Sequence, residues 1–389
     1  MKKKIISILT ATRAEYGLLR PVIKQLLKDE TVEVRVVVTG AHLSHEFGLT
    51  YKEIEQDGIR IDRKIDIMLS SDSPSAISKT MGIAMMSFAD YFAERRPDIF
   101  IVLGDRYETL AVCCAAANER IPIAHLYGGE TTEGALDESF RHAITKLSYL
   151  HFTSTEDYRR RVIQLGESPD RVYNVGSLGV ENVLHEPLLP RAELEEILDF
   201  SLEKPYAVIT YHPVTLEHQT AQKQFVTILN VLEYQQNLSL LFTKANADEG
   251  GRVINKMIDS YVEKHNNATA FTSLGTQKYL SAVAYSSVVI GNSSSGIIEV
   301  PSLHVPTINI GDRQKGRIQA ESIINCEPTE KDFSEKLAYA VSEESQQKAK
   351  SCTNPYGEGN TSERICSEIR HFLSHTPDNL KKTFYHNED

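Results

Sequence analysis

IFIVLGDRYETLAVCCAAANERIPIAHL, residues 99–126, is the stretch that decides the fold. Two apolar runs, Ile99–Leu103 and Ile121–Leu126, flank a helical pattern over Glu108–Glu119. Strands that are apolar throughout are buried on both faces, which is the condition of a parallel sheet covered by helices. The rhythm continues in both directions. Upstream lie strand patterns at Ile5–Leu9 and Val34–Thr39, with helical patterns at Tyr16–Lys28 and Ser75–Arg95. Downstream come helical Glu138–Leu147, strand Leu150–Ser154, helical Asp157–Gln164 and strand Val172–Val175. Pro21 falls inside the first helical pattern, where it either kinks the helix or marks its start.

The alternation pauses at 184–205, where His185, Pro187, Pro190 and Pro205 flank an acidic helical stretch, and the interdomain link is placed there. It resumes with strand patterns at Ala207–Tyr211, Leu238–Thr243, Ala268–Thr272, Val288–Ile290 and Thr307–Ile310. The expected fold class is therefore α/β, with two Rossmann-like doubly wound domains, 1–184 and 185–360, facing a cleft. Residues 361–389 are expected to form a terminal helix and polar tail that packs back on the first domain.

Composition narrows the function. The chain has 389 residues, 42 Lys+Arg against 53 Asp+Glu, and a formal charge of −11. That balance argues against nucleic acid as the partner, which needs clustered basic residues. It leaves room for a small anionic ligand, because surface charges are screened beyond ~8 Å at physiological salt. The five cysteines form no CxxC pair, which suits a reducing, cytoplasmic setting. No apolar run approaches the ~20 residues of a membrane helix. The 13 histidines show no HExxH, so no metal is expected, and no G-x-S-x-G elbow is present. G-x-G-x-x-G after a strand and the Walker loop are absent too, and no cofactor is expected.

In open α/β sheets ligands gather beyond the carboxyl ends of the strands. Just past the strand patterns of the first half stand Arg13, then Asp105 and Arg106, then Gly128-Gly129-Glu130. The second half gives His212, then Lys244, Asn246 and Asp248, then GNSSSG at 291–296. The Gly/Ser turn before a helix offers unpaired N–H groups and hydroxyls, including Ser293 and Ser294, to a diphosphate; a plain capped helix start is the alternative. Arg13, Arg106, Arg313 and Arg317 are the cations that could hold such a group, each charge-assisted bond being worth ~1.5–3 kcal/mol. Asp105, Glu130 and Asp137 fall at or beyond strand ends. Asp137 serves equally well as a helix cap, whereas Glu138 fits a salt bridge with Arg141 and His142 on one helix face. Glu130 comes after two glycines, which would let the backbone approach a ligand closely. His212 before Pro213 is an acid/base candidate.

Taken together, TATRAEYGLLRPV, LGDRYE, HLYGGE with DESFRHAITKLS, HPVT, IGNSSSGIIEVPS and TINIGDRQKGR resemble the hydrolysing UDP-N-acetylglucosamine 2-epimerases of sialic-acid biosynthesis. The resemblance runs from Arg13 to Arg317. It implies the two-domain fold shared with GT-B glycosyltransferases and a homodimer or homotetramer. The implied reaction converts UDP-N-acetylglucosamine and water to UDP and N-acetylmannosamine, through anti elimination to 2-acetamidoglucal and hydration. The implied acid/base set is Asp105, Glu130 and Asp137 with His212; the resemblance does not say which of them takes the C2 proton. Arg13, Arg106, Ser293, Ser294 and Glu299 would grip UDP, Glu299 through ribose hydroxyls, with Arg317 on phosphate and Asn246 and Asp248 facing the cleft. The non-hydrolysing sister family reads GDT where this chain has Gly104-Asp105-Arg106. A UDP-2,4-diacetamido-2,4,6-trideoxy sugar of the legionaminic type is the alternative substrate, and a GT-B glycosyltransferase, a non-hydrolysing epimerase and a nucleotide-sugar sensor are rival functions.

Overall fold

The computed structural model describes every residue except 1–2, 46, 70, 72, 132–135, 204, 214–219, 245–250, 273, 378 and 387–389. The chain divides into two compact units, and it passes from one to the other at 182/183 and again at 356/357.

The first unit is built on a seven-stranded sheet: β1 (Lys4–Thr10), β2 (Val32–Thr39), β3 (Ile61–Ile65), β4 (Ile99–Leu103), β5 (Ile123–Leu126), β6 (Leu150–Thr153) and β7 (Val172–Asn174). The strands are parallel and run in the order β3-β2-β1-β4-β5-β6-β7. Every residue of β4, β5 and β6 is buried, as two-sided coverage requires. One face packs against Leu19, Val22 and Ile23 of the helix Arg13–Leu27 and Ile365, Ile369 and Phe372 of the helix Thr361–Ser374. The other packs against Phe88 and Phe92 of the helix Pro74–Arg95 and Ala111, Val112 and Ala115 of the helix Tyr107–Asn118.

The second unit repeats the design with six parallel strands: β8 (Tyr206–Thr210), β9 (Ser239–Thr243), β10 (Ala268–Phe271), β11 (Val288–Gly291), β12 (Thr307–Ile310) and β13 (Ile323–Cys326). Their order is β10-β9-β8-β11-β12-β13. The proline-flanked stretch after His185 contains the helix Arg191–Leu198, whose Leu194 and Leu198 join the core of this unit with Tyr206 and Val208.

The two strands not foreseen in the sequence are β3 and β13, and both lie at sheet edges. β3 reads IDRKI, with Arg63 bonded to Glu94 and Lys64 to Glu55. Charges on an edge discourage pairing with another chain, and they also hide the strand from a search for apolar runs.

Pro21 neither starts nor ends its helix, which runs from Arg13 to Leu27. A proline cannot donate to the carbonyl four residues back, here that of Gly17. Asn182 supplies the missing donor, its Nδ2 lying 2.8 Å from the Gly17 oxygen. The tail is similarly anchored: Lys382 Nζ bonds both carboxylate oxygens of Glu167 at 2.9 Å, and the Tyr385 N–H donates to the Gly166 carbonyl. Glu167 is buried, which opposes its ionisation, but hydrogen bonds from His151, Lys146 and Lys382 outweigh that and hold its carboxyl at about 2. No helix among the described residues is long and apolar enough to cross a membrane.

Asn182→Ala leaves the Gly17 carbonyl without its donor. A loss of about 1 kcal/mol is expected in urea unfolding, and no change would show that water replaces the amide.

Candidate active site

In the first sheet β1 and β4 are neighbours, yet the helices that come after them cover opposite faces. The chain therefore diverges at their carboxyl ends and leaves a crevice, the usual ligand position in such sheets. Arg13 and the Gly104-Asp105-Arg106 turn stand at this point.

The β1 turn is set by a capping box. Thr12 Oγ1 accepts from the Glu15 N–H at 3.2 Å, while Glu15 Oε2 accepts from the N–H groups of Ala11 (2.7 Å) and Thr12 (3.3 Å). Arg13, the first helical residue, is exposed. The same end of the sheet holds a charge cluster whose carboxylates are buried: Arg106 Nε donates to Glu108 Oε1 at 2.5 Å, and Glu15 sits close enough to feel both. Glu15 Oε1 and Glu108 Oε2 are buried without hydrogen-bond partners among the described residues. Burial, reinforced by the Glu108 charge, lifts the Glu15 carboxyl to about 7. Burial works against the charge on Arg106, but Glu108 outweighs it and keeps the guanidinium firmly ionised.

Arg141 gathers the acidic residues. It is 4% exposed and projects from the helix Asp137–Leu147. Its Nη2 bonds Asp105 Oδ2, while its Nη1 donates to Glu138 Oε2 at 2.9 Å and to the Glu130 carbonyl at 2.5 Å. Asp137 belongs to the same electrostatic neighbourhood: burial raises its carboxyl, the nearby Asp105 raises it further, and Arg106 and Arg141 oppose. Asp137 does not cap its helix by occupying the N-cap, which is Leu136 and has no side-chain cap bond. Glu138 is salt-bridged to Arg141 and lies 3.4 Å from His142, the helix-face pairing that its spacing suggested.

The Glu130 side chain is buried and accepts a 2.7 Å bond from Ser154 Oγ, at the end of β6. Arg161 donates to the Gly129 carbonyl at 2.6 Å. The two glycines before Glu130 are also required by packing within the chain. A Cβ on Gly129 (φ +77°) would lie 2.4 Å from the Tyr158 carbonyl oxygen, and one on Gly128 would press on His125 and Thr145. His125 in turn holds the Gly104 carbonyl at 2.7 Å, and burial depresses its imidazole to about 3, so it is a neutral strut.

The second sheet has its switch between β8 and β11. Gly291, at φ +142°, lets β11 lie against β8, since a Cβ there would meet the Thr210 carbonyl oxygen at 1.8 Å. His212 lies just past β8 and bonds the Asn292 side chain through its own main chain. Ser293 is the N-cap of a helix only five residues long, Ser294–Ile298; its Oγ accepts from the Ser295 N–H at 3.4 Å. So short a helix adds little dipole, and the turn's N–H groups and hydroxyls are what it offers an anion. Ser295 Oγ bonds Glu299 Oε2 at 2.5 Å; burial raises the Glu299 carboxyl and that bond partly offsets it. Arg313 Nη1 donates to the Asn292 carbonyl at 3.0 Å, bringing the 311–317 loop to the same turn. Arg317 is half-buried in that loop and Ser294 half-buried in the turn. Asn246 and Asp248 lie outside the described residues, and Lys244 is paired with Asp259 at 2.6 Å.

Three residues of consequence escaped the sequence reading. Ser154 was within reach, because it too stands at a strand end. Arg141 was seen only as a surface partner of Glu138, and Arg161 carried no signal at all.

Comparison with known proteins places the chain. The family model described as UDP-N-acetylglucosamine 2-epimerase matches residues 24–370. A GDP/UDP-N,N'-diacetylbacillosamine 2-epimerase (hydrolyzing) of Campylobacter jejuni is 46% identical over 84% of this chain and 85% of its own. Polysialic acid biosynthesis protein P7 of Escherichia coli is 43% identical over 85% and 83%. The UDP-GlcNAc 2-epimerase of Methanocaldococcus jannaschii, solved in complex with UDP-GlcNAc and UDP, superimposes with a TM-score of 0.78 over 94% of this chain and 99% of its own; at 18% identity it shows the shared GT-B-like fold.

The buried charges give two expected outcomes. Arg141→Met strands Asp105 and Glu138 and is expected to cost about 3 kcal/mol or more in urea unfolding; a loss below about 1 kcal/mol would show that Arg141 is not the hub. Glu15 has a folded value above its unfolded one, so its contribution is full below about pH 4.5 and is lost as pH rises through about 7. Glu15→Gln is expected to lose less melting temperature than the parent between pH 5 and 8. Parallel curves would contradict this.

Proposed function

The chain belongs to the UDP-N-acetylglucosamine 2-epimerase family, and on that premise we propose that it is of the hydrolysing kind, converting UDP-N-acetylglucosamine and water to UDP and N-acetylmannosamine for sialic-acid synthesis. The observation that carries this reading is the gathering of Asp105, Glu138 and the Glu130 carbonyl on Arg141, with Asp137 beside them. Removing a weakly acidic C–H and returning a proton elsewhere requires carboxyl groups held in different protonation states. Arg141 is paired with Asp105, whereas burial and the neighbouring Asp105 charge raise the Asp137 carboxyl.

In the first step a carboxylate takes the C2 proton, the C1–O bond breaks with its electrons leaving on UDP, and C1=C2 forms. In the second, water oxygen bonds C1 and gives up one proton to a carboxylate, while a carboxylic acid delivers a proton to C2 from the opposite face. One water is consumed, and C2 inverts. Asp105, Glu130, Asp137 and His212 form the acid/base set. The departing diphosphate is assigned to Arg13, Arg106, Arg313, Arg317 and the Ser293–Ser294 turn, with ribose at Glu299 and Asn246 and Asp248 contributing to the substrate site. Cations and N–H dipoles fixed in advance stabilise such a leaving group without reorganisation. A second reading rests on the 46% identity to the Campylobacter jejuni protein: a UDP-linked 2,4-diacetamido sugar would undergo the same steps.

Purified protein mixed with UDP-N-acetylglucosamine alone in deuterated water is expected to release UDP and N-acetylmannosamine carrying deuterium at C2. Retained UDP-sugar, or a requirement for an acceptor, would overturn the proposal. Higher kcat/KM on the 2,4-diacetamido substrate would favour the second reading. Asp105→Asn and Glu130→Gln are each expected to lower turnover about 100-fold or more with the fold retained; near-normal rates would remove that residue from the set.

A further inference from the structure

The β8/β11 ladder ends at the pair Thr210–Gly291, after which the chain of β11 turns away into the helix Ser294–Ile298. Pairing nevertheless extends to His212, two residues past the end of β8. Asn292 Oδ1 accepts the His212 N–H at 2.8 Å, and Asn292 Nδ2 donates to the His212 carbonyl at 2.8 Å. A side-chain amide here reproduces what a backbone peptide would offer. Its orientation is unique, because reversing it would set donor against donor and acceptor against acceptor. Asn292 is 1% exposed, so neither bond is readily exchanged for water, and Pro213 restricts His212 to extended backbone. Together these constraints fix the direction in which His212 leaves the main chain.

The main-chain carbonyl of Asn292 has a separate task. It accepts from Arg313 Nη1 at 3.0 Å and from Gln314 Nε2 at 2.9 Å. Truncating the side chain thus removes the hold on His212 and leaves the acceptor for the 311–317 loop in place.

We infer that Asn292 is a positioning residue for the reaction, its amide aligning His212 for proton transfer while its carbonyl independently seats Arg313. The inference rests on the proposed role of His212 in the 2-epimerase reaction.

The test compares full-length Asn292→Ala and Asn292→Asp with the parent on UDP-N-acetylglucosamine. Asn292→Ala is expected to lower kcat about 10- to 100-fold, the scale of a catalytic group displaced by an ångström, with KM within about threefold. Asn292→Asp retains the acceptor for the His212 N–H and is expected to recover part of the loss. In a His212→Ala background, Asn292→Ala should lower kcat by less than about twofold. Unchanged kcat, a loss confined to KM, or a full loss in the His212→Ala background would overturn the inference. A second measurement needs no turnover: the His212 imidazole resonance, identified by its absence in His212→Ala, is expected to shift in both Asn292 variants. If it does not move, Asn292 does not position His212. If it moves while the parent releases no UDP, the alignment stands and it is the proposed function that fails.

Discussion

A parallel sheet cannot close over its own strand ends where adjacent strands send their chains to opposite faces, and this constraint governs both halves of the molecule. It places the β1 and β4 turns side by side in one unit and the β8 and β11 turns side by side in the other. The backbone groups there lack ladder partners, and side chains satisfy them instead: Glu15 on the N–H groups of Ala11 and Thr12, His125 on Gly104, Asn292 on His212. Where the sheet leaves bonds unmade, the chain places polar residues, and those residues fix the groups that can do chemistry.

Electrostatics in the first unit is a consequence of the same geometry. Several carboxylates converge here, Glu15, Glu108 and Glu130 buried and Asp105, Asp137 and Glu138 half-buried, and like charges so placed cannot all remain ionised without cost. Arg141 relieves part of this by bonding Asp105 and Glu138, and Arg106 relieves part by bonding Glu108. What is left over is pushed toward the protonated form, notably Glu15 and Asp137. A site where burial and neighbouring charge raise some carboxyls while arginines pair with others suits a reaction that removes a proton at carbon and restores one.

Much of this was legible in the sequence, and the reasons are physical. The strands of the sheet interiors had to be continuously apolar, so Ile99–Leu103 and Thr307–Ile310 were placed at their true bounds. An edge strand is under no such demand, and β3, which reads IDRKI, carries charges that a search for apolar runs passes over. Residues just beyond strand ends could be singled out because topology puts ligands there. Arg141, four positions into a helix, was harder to interpret: spacing gives its neighbours on the helix but not that the helix points it at Asp105 and the Glu130 carbonyl, residues brought near by β4 and β5. Gly128 and Gly129 stand out in the sequence for their conformational freedom, whereas the crowding by His125, Thr145 and Tyr158 is visible only in the fold.

The central claim is that the bond from C2 of the sugar to hydrogen is broken and remade during release of UDP. A UDP-N-acetylglucosamine carrying deuterium at C2, turned over in ordinary water, tests it most directly. The account expects N-acetylmannosamine with protium at C2. Free sugar that keeps its deuterium would mean that C1–O cleavage proceeds without proton abstraction, and the assignment of Asp105, Glu130 and Asp137 as acid/base groups would fall with it.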